Sequence, residues 1–154
     1  MKKKNLVILF FVLVAIDQIT KTIVTTQMNL FQQIQVIPGF FRIFYIRNTG
    51  AAFSILEGQM VFFYAVSVIS FIIVYFLYKD AKTKLAYIAT TGFLAGAVGN
   101  FIDRVIYQSV IDFFSFTFGN FNFAVFNFAD IFITCSIALL FIDHILLYKK
   151  GKVN

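Results

Sequence analysis

Clusters of lysine divide this chain into four apolar stretches, at about 6–24, 61–78, 85–106 and 124–148. Each is long enough to cross ~30 Å of hydrocarbon as a helix. Lys2, Lys3 and Lys4 precede the first stretch, and Lys79, Lys82 and Lys84 separate the second from the third. Lys149, Lys150 and Lys152 follow the fourth. Cytoplasmic segments carry the excess of Lys and Arg, so all three clusters are read as cytoplasmic. Both termini then lie inside, and the 25–60 and 107–123 connections lie outside. Four crossings and three positive segments agree. The expected architecture is a multi-pass membrane protein with four transmembrane helices, forming one integral-membrane domain over 1–154.

Composition supports this. Of the 154 residues 60% are hydrophobic and 13% charged, against ~45–50% and ~25% in soluble domains. Too little charge remains to coat a water-facing surface, which excludes a soluble enzyme. The formal charge of +6 sits mainly in the lysine clusters, a topology pattern rather than a nucleic-acid patch. Cys135 is the sole cysteine and His144 the sole histidine. That excludes an intramolecular disulfide framework, Cys-rich metal sites and two-His metal sites.

The first stretch also resembles a cleaved signal peptide in its Lys-rich start. Polar Asp17, Gln18, Thr20 and Lys21 follow its apolar core where a small-residue cleavage site would sit, and three further spans come after. Retention as a helix is the favoured reading.

The 25–60 connection is too long for a plain loop. Gln33–Ile37 alternates, Pro38-Gly39 is a turn dipeptide, and Phe40–Ile46 is β-prone and aromatic. A small sheet or hairpin on the outer membrane surface is expected, with Phe40, Phe41, Phe44 and Tyr45 against lipid or substrate. The 107–123 connection holds seven aromatics and no Lys or Arg, so it too should rest on the bilayer.

Seven acidic residues occur. Asp17, Asp103 and Asp130 fall within apolar runs, where an acid costs ~2.5–3.5 kcal/mol at the helix centre. Such residues are functional candidates by default. The third span runs outward and reaches Asp103 near its end; the fourth runs inward and reaches Asp130 near its start. At 1.5 Å per residue these depths are about 5 and 9 Å below the outer ends, so adjacent antiparallel helices would bring the two carboxylates together. Gly92, Gly96, Gly99 and Asp103 form one stripe on the third helix, suited to close helix approach. Asn127, Asp130 and Thr134 share a face of the fourth. Asp17, Thr20 and Lys21 share a face of the first, where an i, i+4 ion pair between Asp17 and Lys21 is favoured over direct chemistry.

Two close carboxylates in a low dielectric share a proton, as in aspartic proteases. One activates water and the other donates to the peptide carbonyl. A proton-coupled transporter would use the same residues, although no internal repeat of the kind many transporters carry is visible. A membrane assembly factor is a third reading. Cys135 and His144 lie about 13 Å apart along one helix and half a turn out of phase, which makes a thiol pair a weak reading. A Ser54–Lys21 dyad ranks below the two-Asp reading, because Asp17 opposes the lowering of the lysine pKa that such a base needs.

Five motifs then occur in order: Asp17-Gln18-Ile19-Thr20-Lys21, Asn48-Thr49-Gly50-Ala51-Ala52-Phe53, Gly99-Asn100-Phe101-Ile102-Asp103-Arg104, Val110-Ile111-Asp112-Phe113 and Phe126-Asn127-Phe128-Ala129-Asp130. Over nearly its whole length the chain resembles lipoprotein signal peptidase (signal peptidase II), the bacterial intramembrane aspartic peptidase family. The resemblance implies removal of signal peptides from diacylglyceryl-modified prolipoproteins, just before the lipidated cysteine, by a monomer in the cytoplasmic (inner) membrane with its active site near the outer face. It implies no cofactor, no metal and no nucleic-acid partner, only prolipoprotein substrates and membrane lipids. It places Asp103 and Asp130 at the catalytic positions, and Asn48, Asn100, Arg104, Asn127 and Ala129 along the site. Asp17, Lys21, Gly50 and Asp112 take supporting positions. The implied fold is all-α with four transmembrane helices, a small extracytoplasmic β-cradle over about 31–53 and a short outer-loop helix within 107–123. Ala124, where the family often has proline, and the absence of tryptophan depart from the pattern. They bear on the substrate clamp, where Phe53, Phe116 and Phe118 would supply equivalent anchoring.

Overall fold

A computed structural model describes residues 2–50, 58–149 and 151. Four long helices are present: α1 (Lys3–Gln27), α2 (Met60–Asp80), α3 (Lys84–Tyr107) and α4 (Phe128–Lys149). All four are long and apolar enough to cross a membrane. Between them lie β1 (Gln33–Ile37), β2 (Phe41–Asn48), β3 (Val110–Phe118) and β4 (Phe121–Asn122), an antiparallel sheet in chain order.

Helix α3 is the central element and packs on α1, α2 and α4. Its small residues explain why. Ala89, Ala95, Gly96 and Gly99 are buried, and a Cβ built at Gly96 would strike the carbonyl oxygen of Ala129 and lie 2.8 Å from Ile133 Cγ1. Only a glycine admits the α4 backbone so closely. The other helices turn large apolar side chains outward, with Phe11 63%, Val61 82% and Phe141 66% exposed. Surfaces this apolar belong against lipid. The chain is a multi-pass membrane protein.

Helix ends are fixed by named groups. Thr83 caps α3 by accepting from Ala86 N–H at 3.0 Å, and its hydroxyl donates to Asp143 Oδ1 of α4 at 2.5 Å. The first of these satisfies an N–H that the helix itself leaves unpaired.

The expected hairpin is present, with its strands at 33–48 and its turn at Pro38-Gly39; residues 51–53 of the expected β-type segment lie outside the described residues. Two expectations are corrected. The 107–123 connection holds strands β3 and β4 rather than a short helix. Its run of Val110, Ile111, Phe113, Phe114, Phe116 and Phe118 is β-branched and aromatic, and the free edge of β2 gives it a partner. Tyr45, expected against lipid or substrate, is instead buried with Val24, Met28, Ile111 and Phe113. Its hydroxyl accepts from Arg47 Nε at 3.0 Å, so its polar tip is satisfied inside. Phe116 stacks between Phe41 and Phe126, at centroid distances of 4.7 and 5.8 Å. The fourth helix begins at Phe128, later than the apolar stretch does, because Phe126 is still paired to Phe114 of β3.

Register now matters for the site. Asn48 at the end of β2 faces Val110, and Ile46 faces Asp112. The sheet thus delivers Asn48 and Asp112 to the same corner, at the end of the bundle where α3 stops and α4 starts.

Candidate active site

Two polar assemblies meet at that corner. One is sealed. Lys21 Nζ donates to Asp17 Oδ2 at 2.9 Å, Asp103 Oδ2 at 2.8 Å and Asn100 Oδ1 at 3.0 Å. An ammonium has three donors, so this one is fully used. Asp17 and Asp103 have no exposure and Lys21 has 1%. Asp103 also accepts from Gln18 Nε2 at 3.2 Å and from the Ile111 backbone N–H at 3.1 Å. Asp17 Oδ1 accepts from the Ala129 N–H at 2.9 Å. A buried ion pair keeps its charges only when the remaining lone pairs are satisfied in this way. The triad therefore ties α1 to the first turn of α4 and to the start of β3.

The second assembly is open. A cavity of about 500 Å³ is bordered by Asp112, Asp130, Asn48, Asn100, Arg104 and Gly50 on its polar side. Phe123, Val125, Phe126 and Ile131 form its apolar wall, and Thr134 and Cys135 continue it along α4. Asp130 is held by a reciprocal cap. Asn127 N–H donates to Asp130 Oδ2 at 3.1 Å, and Asp130 N–H donates to Asn127 Oδ1 at 3.0 Å. This is the capping-box geometry, two orphan donors of a helix N-terminus satisfied by side chains three residues apart. Asn100 Nδ2 adds a third bond to Asp130, at 2.8 Å. The first turn of a helix is also where negative charge is favoured.

Asp112 accepts from Asn48 Nδ2 at 3.0 Å and from Asn127 Nδ2 at 2.7 Å. Asn127 thus touches both cavity carboxylates, one through its amide nitrogen and one through its cap. Burial pushes the Asp112 carboxyl up to about 7, and the Asp130 charge beside it adds to the rise. The bonds from Asn48 and Asn127 and the charge on Lys21 oppose it. Two neighbouring carboxylates with one shifted toward neutrality have the chemistry that an acid–base pair requires.

Asp103, placed at a catalytic position from the sequence, does not border this cavity among the described residues. Its oxygens are taken up by Lys21, Gln18 and the Ile111 N–H. The carboxylate that reaches the cavity with Asp130 is Asp112. Span counting places Asp103 near the end of the third span but does not say toward which neighbour its side chain turns. Ala129, read as lining the site, is fully buried with its N–H on Asp17, because it sits under Gly96 and Gly99. Asn127 is likewise behind the carboxylates rather than on the cavity surface, with no exposure. Thr20 bonds only to carbonyls of its own helix.

Other readings fall where the sequence put them. Asn48, Gly50, Asn100 and Arg104 border the cavity. The Arg104 guanidinium lies 5.0 Å from the Phe63 ring centroid and donates to Asn100 O at 3.3 Å. The Asp17–Lys21 ion pair is present. Ser54 lies outside the described residues, and Lys21 has no donor left for it. Ile131 and Cys135 are wall residues that the sequence reading lacks; they follow Asp130 by one and five residues, and their mutual i, i+4 spacing on the face next to it was the available signal. Among the described residues no group of His, Cys, Asp and Glu gathers into a set able to hold a metal ion.

The chain is similar to known proteins over nearly its whole length. The signal peptidase (SPase) II family pattern matches residues 9–146. A lipoprotein signal peptidase of Bacillus pumilus is 46% identical over 147 residues, covering 94% of this chain and 95% of that protein. One from Listeria monocytogenes serotype 4a is 45% identical, covering 84% and 85%, and one from Symbiobacterium thermophilum is 40% identical, covering 94% and 97%. A bacterial membrane enzyme solved by the in meso method at 2.3 Å superposes with a TM-score of 0.89 at 35% identity, covering 99% of this chain and 94% of the other. Another, solved at 1.9 Å, gives 0.83 at 36% identity, covering 92% of each. Family pattern, sequence relatives and solved structures agree: the chain belongs to the signal peptidase II family.

Proposed function

We propose that this protein is an intramembrane aspartic endopeptidase that removes signal peptides from diacylglyceryl-modified prolipoproteins, cleaving just before the lipidated cysteine, with Asp112 and Asp130 as its acid–base pair. The observation that carries the assignment is that these two carboxylates border one cavity and share Asn127 as a partner. Asp103 instead belongs to the supporting triad with Asp17 and Lys21.

Of the pair we take Asp112 as the proton donor, because burial and the neighbouring Asp130 raise its carboxyl to about 7, so that a large fraction keeps its proton near neutral pH. Asp130 is then the base. It takes a proton from a water whose oxygen attacks the scissile carbonyl carbon, while Asp112 gives its proton to the carbonyl oxygen. In the second half, Asp130 passes its proton to the departing amine as the C–N bond breaks. Asp112 recovers a proton from the tetrahedral hydroxyl, which restores both starting states. Asn100 and the Asn127 cap hold Asp130 in place, and Arg104 and Asn48 border the cavity where the peptide backbone would lie.

The apolar wall of Phe123, Val125, Phe126 and Ile131 suits the acyl chains of the substrate. The lysine clusters support an orientation with both termini cytoplasmic, which puts the cavity near the outer face of the bacterial cytoplasmic membrane. On this reading the whole chain works as one membrane domain and as a monomer.

Cleavage of a purified diacylglyceryl-prolipoprotein tests the assignment. Asp112→Asn and Asp130→Asn should each lower kcat by roughly 10²–10⁴-fold while the protein still accumulates. Asp103→Asn should retain measurable turnover in a less stable protein. Wild-type turnover by Asp112→Asn, with loss in a stable Asp103→Asn, would return the second catalytic position to Asp103.

A further inference from the structure

A second cavity, also about 500 Å³, opens between α1 and α2 over the first turns of α3, at the opposite end of the bundle from Asp112 and Asp130. Its walls are apolar, among them Val7 and Phe10 of α1 and Val74 and Tyr75 of α2. Its floor contains Thr90 and Thr91, whose hydroxyls are bonded to Ala86 O at 2.8 Å and Tyr87 O at 2.7 Å of their own helix. The floor thus offers methyl groups rather than donors. The mouth is basic. Lys3 borders the groove itself, Lys2 and Lys4 flank it in sequence, and Lys79 follows Tyr78 at the end of α2. Asp80 is the exposed acid at this end, while Asp143 is turned to Thr83.

We propose that this groove is a binding site for an anionic phospholipid of the inner leaflet, with an acyl chain lying between α1 and α2 and the phosphate headgroup on Lys3. A dry channel open sideways to lipid accepts a hydrocarbon chain, and the lysine at its mouth selects a negative headgroup. The rival occupant is the apolar segment of the substrate's signal peptide. Such peptides begin with positive residues, which on the same side of the membrane would meet Lys2, Lys3 and Lys4 as like charges. The proposal rests on the membrane-spanning fold and on the cytoplasmic placement of the lysines, and it is independent of the peptidase chemistry.

The test is lipid retention by the purified full chain in mixed micelles, read by native mass spectrometry with phosphatidylglycerol against phosphatidylcholine. One lysine beside an anionic headgroup corresponds to roughly a five-fold change in retention. Wild type should retain phosphatidylglycerol at least about five-fold over phosphatidylcholine, and Lys3→Gln should remove about that factor. Val7→Trp, which fills the groove, should abolish retention of both lipids. Val12→Trp, an equally exposed α1 position that does not border the groove, should not. Equal retention of the two lipids by wild type, or retention unchanged in both Lys3→Gln and Val7→Trp, overturns the proposal. So does capture of a prolipoprotein signal peptide by a photo-crosslinking amino acid at position 7. Prolipoprotein cleavage by Val7→Trp and Lys3→Gln confirms that both variants are folded. Failure of the wild type to cleave would count against the peptidase reading and leave the lipid result standing.

Discussion

Lys21 Nζ lies 2.8 Å from Asp103 Oδ2 in a part of the protein where neither side chain meets solvent. Asp17 completes the triad at 2.9 Å, so two buried negative charges depend on one positive charge. The same Asp103 oxygen accepts from the Ile111 N–H, one residue before Asp112. The ion pair therefore sets where β3 begins, and through it the position of a cavity carboxylate.

Removing Lys21 leaves two carboxylates uncompensated. Lys21→Met should destabilise the protein by roughly 3–5 kcal/mol, the usual cost of breaking a buried pair from one side. Adding Asp103→Asn to that variant removes one of the orphaned charges and should recover part of the loss. Thermal unfolding in detergent across the four proteins of this double-mutant cycle reads the coupling. Additive losses would mean that Lys21 and Asp103 are not energetically linked.

Asp112 provides a pH signature. Burial, then the charge of Asp130, raise its carboxyl to about 7. If its proton is needed, kcat should fall about tenfold per unit once pH rises well above that value. The bond from Asn48 favours the ionised form and opposes the rise, so Asn48→Ala should move the alkaline limb to higher pH. An unmoved or acid-shifted limb in Asn48→Ala would separate the pH dependence from Asp112.

Two glycines on α3 differ in what they face. A Cβ at Gly96 meets the backbone of Ala129, which cannot rotate away, whereas at Gly92 it meets Ser136 Oγ at 2.6 Å, the end of a side chain that can. Gly96→Ala should therefore cost about 1–3 kcal/mol, the range for overpacking, and lower activity by displacing the first turn of α4. Gly92→Ala should be milder on both counts. Thermal stability and cleavage measured together check this, and equal effects at the two positions would remove the backbone-contact explanation.

Much of this was legible in the chain. Four apolar stretches and three lysine clusters define the helices, and the alternation around Pro38-Gly39 defines the hairpin. The acids within apolar runs stand out in the chain as costly, and the Asp17–Lys21 pair follows from i, i+4 spacing. What was not legible is the choice of partner. Asp103 and Asp112 are nine residues apart, one on a helix and one on a strand, and only the pairing of β3 with β2 decides which carboxylate meets Asp130. The strand itself was hidden because a short aromatic run is compatible with helix or strand until an edge is available to pair with it. The cap is readable, since Asn127-x-x-Asp130 before an apolar run has the spacing of a capping box, although the same spacing also describes a shared helix face.

That cap allows a test that separates structure from chemistry. Asn127 has two jobs: its Oδ1 accepts from Asp130 N–H at 3.0 Å, and its Nδ2 donates to Asp112 and Asn100 at 2.7 and 3.0 Å. Asn127→Ala loses both and should cost about 1 kcal/mol for the cap alone. Asn127→Ser keeps a capping oxygen but has no amide to reach Asp112. It should therefore hold stability near wild type while lowering kcat and raising the alkaline limb, because a bond favouring ionised Asp112 is gone. Matched stability and kcat losses in Asn127→Ala and Asn127→Ser, with no change in pH profile, would reduce Asn127 to a helix cap and leave the two cavity carboxylates without a shared support.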